Sequence, residues 1–393
     1  MSLNAVTSGE RVHIAFFGMR NAGKSSLVNA VTGQNLSVVS DVKGTTTDPV
    51  KKAMELLPLG PVVIIDTPGL DDDGQLGALR VQKAHQILEQ TDLAVLVIDA
   101  TVGASENDRS ILAQLKERKL PFVIAFNKAD LIEKRELSEE EALYVSAFTG
   151  EGISALKERL GAFVKKLEKT KVLVSDLLQA RDVVILVTPI DESAPKGRLI
   201  LPQQMVLRDI LDSHACAIVC QDTELKHTLS KLAEKPKMVI TDSQVFGRVS
   251  ADTPDDILLT SFSVLMARYK GELAPLIQGA NALKTLKDGD KVLISEGCTH
   301  HRQCNDIGTV KMPAWIENFS GTKLQFSFTS GNEYPEDLSE YALVVHCGGC
   351  MLNDAAMHHR IEKTADAGVP IINYGLAIAH MNGILERSLR PFK

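Results

Sequence analysis

The sequence predicts an α/β protein, with a mostly parallel, doubly wound sheet over residues 1–170 and two smaller α/β domains over 171–270 and 271–393. Three observations carry that reading. Short apolar runs alternate with helical stretches through the first 170 residues, the pattern of strand–helix–strand units. A glycine-rich loop ending in Gly23-Lys24-Ser25 joins the first run to the first helix. A charged stretch at 165–171 closes that segment before apolar runs resume. A chain of 393 residues has room for two or three domains.

In the first segment, 12–17, 62–65, 93–98, 121–126 and 143–145 read as strands, with helices at 24–32, 75–90, 106–118 and 153–168. In the second, 183–188, 215–220 and 237–241 read as buried strands, covered by helices at 202–212, 223–234 and 255–270. That segment has no nucleotide motif and no dense cluster of reactive side chains, so it reads as a scaffold or dimerisation domain. In the third, 291–295, 323–329, 341–346 and 370–374 read as strands and 351–367 as a helix.

Composition narrows the function classes. A net charge of -7 and a pI near 5.8 argue against a general nucleic-acid binder, which needs a basic footprint. The apolar runs at 93–98 and 183–187 are far too short to span a bilayer, and residues 1–11 hold no apolar secretory core. A cytoplasmic protein with no membrane or nucleic-acid partner is the expectation. The six cysteines, at 216, 220, 298, 304, 347 and 350, all fall after residue 215. In a cytoplasmic chain such clustering reads as metal ligation or redox chemistry rather than a disulfide framework.

Gly18-Met19-Arg20-Asn21-Ala22-Gly23-Lys24-Ser25 fits G-x-x-x-x-G-K-[ST] between a strand and a helix. The glycines let backbone amides wrap phosphates, Lys24 reaches the β and γ phosphates, and the Ser25 hydroxyl ligates magnesium. The candidates around the phosphates are thus Gly18, Asn21, Ala22, Gly23, Lys24, Ser25 and Ser26. Asp66-Thr67-Pro68-Gly69 follows another strand; Asp66 can hold magnesium through water and the Gly69 amide can sense the γ-phosphate. Asn127-Lys128-Ala129-Asp130 selects guanine over adenine, because a carboxylate there accepts two hydrogen bonds that adenine cannot donate. Ser146 and Ala147 end the next strand, where backbone amides reach the guanine oxygen.

Order and spacing over about residues 10–160 resemble the small GTPase superfamily, and within it the TrmE/Era-like branch. The resemblance implies that Thr46, in Gly44-Thr45-Thr46-Thr47-Asp48, closes on magnesium, with Thr45 and Thr47 as loop residues. It also implies that Asn21 binds a potassium ion, which adds positive charge at the transferred phosphate. Leu70 stands where Ras-like proteins place a water-orienting Gln, so another device must orient the attacking water. Asp71, Asp72 and Asp73 read as a solvated loop. Catalytic work is expected of Lys24, Ser25, Thr46, Asp66 and Gly69.

The second constellation is Cys298-x-His300 after one strand and His346-Cys347-x-x-Cys350 at the end of another, the edge where open α/β sheets place ligands. A helix beginning near Met351 would favour thiolates at its N-terminus. Three thiolates plus one weaker ligand suit an iron–sulfur cluster with an exchangeable position, and Cys₃His or Cys₂His₂ zinc is the competing chemistry. A thioredoxin-like Cys-x-x-Cys fits less well, since it needs no distant partners.

Downstream of such a GTPase, Cys-x-His…His-Cys-x-x-Cys resembles the HydF family, the GTPase maturation factors of iron–iron hydrogenases, over nearly the whole chain. That resemblance implies a [4Fe–4S] cluster on Cys298, Cys347 and Cys350, and a chain that carries a di-iron precursor to apo-hydrogenase. It also implies radical SAM enzymes as partners and a dimer or higher oligomer. The fourth ligand stays open among Glu296, His300, His346 and Asp306, with either histidine able to donate hydrogen bonds to sulfur instead. Cys304 reads as a spare thiol, Cys216 and Cys220 as buried core cysteines, and Trp315 as packing. The alternative function is an RNA-modification or ribosome-assembly GTPase with a structural zinc domain.

Overall fold

The structure is a computed structural model that describes residues 8–34, 50–69, 84, 86–133, 137, 140–168, 172–190, 199–271, 273–298 and 306–393. The chain divides into two compact units, the first built from residues 1–170 and the second from nearly all the rest.

The first unit is built on six strands: β1 (Val12–Phe17), β2 (Val50–Leu56), β3 (Gly60–Asp66), β4 (Leu93–Asp99), β5 (Phe122–Asn127) and β6 (Ala142–Tyr144). Their order is β2-β3-β1-β4-β5-β6, and only β2 runs antiparallel to its neighbour. The helices α1 (Lys24–Thr32), α2 (Glu106–Glu117) and α3 (Ile153–Glu168) belong to the same unit. Alternate residues of each central strand feed two cores. Ile14 and Phe16 pack with Leu27, Leu156 and Leu160, while Ala15 and Phe17 pack with Leu88 and Leu115. A strand buried on both faces reads as a continuous apolar run, which is why these strands are visible in the sequence. The sequence reading missed β2. Its Lys51, Lys52 and Glu55 side chains are solvent-exposed, as suits a charged strand at a sheet edge.

The second unit holds two four-stranded parallel sheets. The first comprises β7 (Val183–Val187), β8 (Cys216–Cys220), β9 (Met238–Thr241) and β10 (Leu258–Ser261), in the order β10-β9-β7-β8. Its helices are α4 (Leu201–Asp212), α5 (Leu225–Lys231), α6 (Phe246–Asp252) and α7 (Phe262–Lys270). The single helix expected over 255–270 is instead β10 followed by α7. Ser261 makes the break: its backbone is extended and its hydroxyl caps the helix by accepting from Val264 N.

A second correction concerns Cys216 and Cys220. The strand that carries them is the edge strand β8, where Cys216 and Val219 (44%) are exposed, so Cys216 is not a core residue, while Cys220 is half-buried and packs against the core of Ile185 and Val187. An apolar run is not evidence of burial at a sheet edge, where the next layer can be another molecule.

The last sheet comprises β11 (Lys291–Glu296), β12 (Gln325–Ser330), β13 (Leu343–His346) and β14 (Ile371–Asn373), in the order β12-β11-β13-β14. With it go α8 (Leu273–Gln278), α9 (Met312–Ser320), α10 (Asp354–Asp366), α11 (Tyr374–Met381) and α12 (Leu385–Leu389). The sequence reading had not placed α9 or α11. Among the described residues no helix is long and apolar enough to cross a membrane.

Candidate functional site

In the first unit, register brings the loops together. Phe16 at the end of β1 pairs with Asp66 at the end of β3, and Asp99 of β4 pairs with Asn127 of β5. Every loop predicted to meet nucleotide therefore leaves the same edge of the sheet, the carboxyl edge. The loop 18–23 could not carry side chains where its glycines stand. A Cβ on Gly18 (φ +143) would lie 2.1 Å from Val97 O, and one on Gly23 (φ +85) would lie 2.2 Å from Asn127 Nδ2.

Lys24 is buried, and its ammonium donates to Gly18 O at 2.9 Å and Met19 O at 2.7 Å. Ser25 Oγ donates to Asp66 Oδ2 at 2.7 Å, while Asp66 Oδ1 is buried with no hydrogen-bond partner in the protein. An orphaned carboxylate oxygen beside a hydroxyl suits a small hard cation such as magnesium. Gly69 lies against the same loop: a Cβ there would fall 2.9 Å from Arg20 Cα. Asn21 is exposed in the left-handed region at φ 61, and Ser26 is half-buried in the first turn of α1.

Asn127 joins two loops. Its Nδ2 donates to Ala22 O at 2.9 Å and its Oδ1 accepts from Ala147 N at 3.0 Å. Lys128, also left-handed, reaches back to Asp99 Oδ2 at 2.5 Å. Burial alone would raise the Asp99 carboxyl, but the bonds from Lys128 and Thr101 outweigh it and hold the pKa below its ordinary value. The sequence reading missed Asp99, which carries no motif of its own. Asp130 projects from a short 3₁₀ turn into solvent, and Ser146 is fully buried, its Oγ accepting from Thr149 N. Thr45, Thr46, Thr47, Leu70 and Asp71 to Asp73 lie outside the described residues.

In the second unit, β11 and β13 are neighbours and Ser295 pairs with His346, so Cys298 and Cys347 leave adjacent strands at the same edge. Cys347 N donates to Ser295 O at 2.9 Å. The Cys347 sulfur accepts from Gly297 N at 3.0 Å and Gly349 N at 3.4 Å. Burial pushes this thiol up to about 12; the two backbone bonds oppose that, and the nearby Cys350 and Cys298 add to it. Among the described residues no three His, Cys, Asp or Glu side chains converge as a metal-holding group, and His300 and Cys304 lie outside them. The donor set nonetheless fits an iron–sulfur cluster in kind. It offers thiols, which are the ligands such clusters take, and the Cys347 sulfur already receives the backbone N–H bonds that tune cluster sulfurs.

His346 is fully buried with both ring nitrogens engaged. Nε2 lies 2.9 Å from Arg360 Nη1 and Nδ1 lies 2.8 Å from Cys347 O. A guanidinium can only donate, so Nε2 accepts and Nδ1 carries the proton. Burial, with the Arg360 charge beside it, lowers the imidazole to about 3. Glu296 is also buried, and Tyr374 Oη donates to its Oε1 at 3.3 Å. Burial raises the Tyr374 phenol far above its ordinary value, helped by Glu296 and Cys347. Asp306 turns its carboxylate to Thr309 N and Oγ1 at 2.8 and 2.9 Å. Arg360 and Tyr374 had no signal in the sequence reading.

Two sequence families divide this second unit between them. Residues 173–271 match the hydrogen maturase F dimerization domain, and residues 274–391 the hydrogen maturase F tetramerization domain. The chain belongs to the hydrogen maturase F family. Its first unit matches the 50S ribosome-binding GTPase family over residues 13–128 and is a P-loop GTPase domain.

The GTPase domain of this chain is similar to that of other proteins. The tRNA modification GTPase MnmE of Nitrosomonas europaea is 36% identical over 156 residues, 38% of this chain and 34% of that protein. GTPase Der of Kosmotoga olearia is 33% identical over 178 residues, 40% of each. The chain spans about a third to two-fifths of the length of these relatives. Among solved structures, Era of Aquifex aeolicus overlays on 82% of this chain and 94% of that one at 17% identity, with a TM-score of 0.35, too low to carry a structural argument.

Proposed function

We propose that this chain is a GTP-hydrolysing scaffold of iron–iron hydrogenase maturation, which holds a [4Fe–4S] cluster and delivers the di-iron subcluster precursor to apo-hydrogenase. The observation that carries the reading is that Cys298 and Cys347 leave adjacent strands at one sheet edge, with Cys350 on the same loop as Cys347, in a chain of this family whose first unit is a P-loop GTPase. The RNA-associated alternative rests on the GTPase segment alone, where MnmE is similar.

In the first unit, Lys24 leaves the loop carbonyls to meet the β and γ phosphates of GTP. Ser25, Thr46 and, through water, Asp66 hold magnesium. The Gly69 amide meets the γ-phosphate, and Asn21 holds potassium where charge develops. Water attacks the γ-phosphorus in line and GDP leaves. Asn127, Lys128, Asp130, Ser146 and Ala147 frame the guanine.

In the second unit, Cys298, Cys347 and Cys350 are the cluster ligands. The cluster supplies an iron with one exchangeable position. Glu296 is the oxygen donor we assign to that position: it is buried at the end of β11, two residues before Cys298, and Tyr374 Oη orients it through Oε1. His346 then acts by fixing the Cys347 backbone. The exposed edge of β8 serves the homodimer. The sequence has no Cys-x-x-x-Cys-x-x-Cys, so radical SAM partners are assigned the di-iron chemistry.

The test is an EPR spectrum after anaerobic iron and sulfide reconstitution and reduction, beside the triple variant Cys298→Ala, Cys347→Ala, Cys350→Ala. A [4Fe–4S]⁺ signal lost in the variant, together with activation of apo-hydrogenase by the loaded wild type, supports the reading. Tightly held zinc with no signal overturns it.

A further inference from the structure

Two fully buried cations grip the loop that carries Cys347 and Cys350. At its start, Arg360 of α10, 3% exposed, donates through Nη1 to His346 Nε2 at 2.9 Å and Ser295 Oγ at 3.2 Å, and through Nη2 to Gly331 O at 2.6 Å. Its guanidinium carbon stands 5.0 Å from the Tyr334 ring centre. At the loop's far end, Lys270, the last residue of α7 and 1% exposed, donates through Nζ to Leu352 O at 3.0 Å. The two arrive from different layers: α10 belongs with the last sheet, and α7 with the sheet of β7 to β10. Cys350 packs against the same core as Leu265 and Met266 of α7, so the Lys270 contact continues an apolar one.

Burying a lysine or an arginine carries a desolvation cost that packing alone does not repay. Positive charge is useful at a site that becomes negative. Thiols that release their protons to bind a metal ion or cluster leave an anionic group on the loop whose two ends these side chains hold, and charges in a protein interior attract over several residues' distance.

We propose that Lys270 and Arg360 are positioning residues of the thiol site, bracing both ends of the 346–352 loop and supplying the charge that favours an anionic metal–thiolate occupant over bare thiols. The occupant's being a [4Fe–4S] cluster rests on the reading above; the brace itself requires only thiolate-bound metal.

The experiment compares the full-length wild type with Lys270→Gln, Lys270→Met, Arg360→Gln and Arg360→Met, and with the charge-keeping Lys270→Arg and Arg360→Lys. Glutamine keeps a hydrogen-bond donor and loses the charge, so folding and charge are separated; circular dichroism and gel filtration check the fold. Two probes are read. Cobalt(II) affinity comes from thiolate charge-transfer absorption, and the cluster midpoint potential from an EPR-monitored redox titration after reconstitution.

The neutral variants are expected to bind cobalt about tenfold or more weakly and to move the potential negative. The charge-keeping variants should recover both. Folded glutamine variants with wild-type cobalt affinity and potential overturn the proposal, whatever the methionine variants do. A wild type that takes cobalt but no cluster, with the affinity loss still present, leaves the brace standing and removes the iron–sulfur reading. A wild type that binds neither overturns both.

Discussion

Ser25 Oγ and Asp66 Oδ2 meet at 2.7 Å, tying the first turn of α1 to the end of β3 and leaving the other Asp66 oxygen buried without a partner. The occupant proposed for it is a divalent cation. Asp66→Asn removes the charge and keeps the shape. Magnesium-dependent phosphate release should fall by roughly a hundredfold or more, as expected when several kcal/mol of metal-assisted stabilisation are lost. A variant that keeps its magnesium response within twofold of wild type, roughly the noise of a rate comparison, would show that Asp66 does not organise the metal.

Asp130 is exposed and free to be exchanged without disturbing packing, whereas Asn127 is buried and holds Ala22 O and Ala147 N together. The two should separate cleanly. Asp130→Asn should shift preference from guanine to xanthine nucleotides with no change in melting temperature. Asn127→Ala should also lower stability, by about 1–3 kcal/mol, since it strands two buried backbone groups. Competition binding and thermal melting read the two effects.

The left-handed Asn21 projects from the phosphate loop into solvent, where a bound cation can reach it. Potassium should accelerate GTP hydrolysis more than sodium at equal ionic strength, and Asn21→Ala should abolish the difference. Equal rates in the two salts for the wild type would remove potassium from the mechanism.

His346 titrates near 3 in the fold, against an ordinary value of 6.5, because it is buried beside Arg360. Below pH 6.5 the unfolded chain holds a proton there that the folded chain refuses, so stability falls as pH drops from 6.5 toward 3. Cys347 has the opposite limb. Its raised value of about 12, against 9.0, favours the folded thiol below pH 9.0, an advantage lost as pH climbs toward 12. Chemical denaturation of the metal-free protein should show both limbs, and His346→Gln should flatten the acid one.

The edge strand β8 exposes Cys216 and Val219 along a run of five residues without a charge. Val219→Lys should block edge pairing and give monomers in sedimentation experiments. An unchanged oligomer would place the interface on another face.

The sequence made visible what chemistry places at strand ends. The phosphate loop, Asp66 and Asn127 follow apolar runs that are buried on both faces, so motif and strand identify one another. The same logic located Cys298 and Cys347. What stayed hidden were side chains that act across the chain. Arg360 meets His346 from a helix, Tyr374 meets Glu296 from 78 residues away, and Asp99 meets Lys128 from the adjacent strand. None has a local spacing to betray it. The strands β2 and β10 were missed for a different reason: one is charged at an edge, and the other is four residues long and runs directly into α7.

The parallel pairing of β11, β13 and β14 also sets an order of events during synthesis. A parallel pair cannot close until the connecting helix and the next strand have been made. The strand that leads into Cys347 therefore waits for α10, which brings Arg360, and for Ile371–Asn373 before it has both neighbours. The GTPase sheet, contiguous and furnished with its own two cores, can be finished on the ribosome long before that. Cys298 and Cys347 thus remain apart on a nascent chain until β13 has emerged, long after β11, so the proposed metal site can form only late in synthesis.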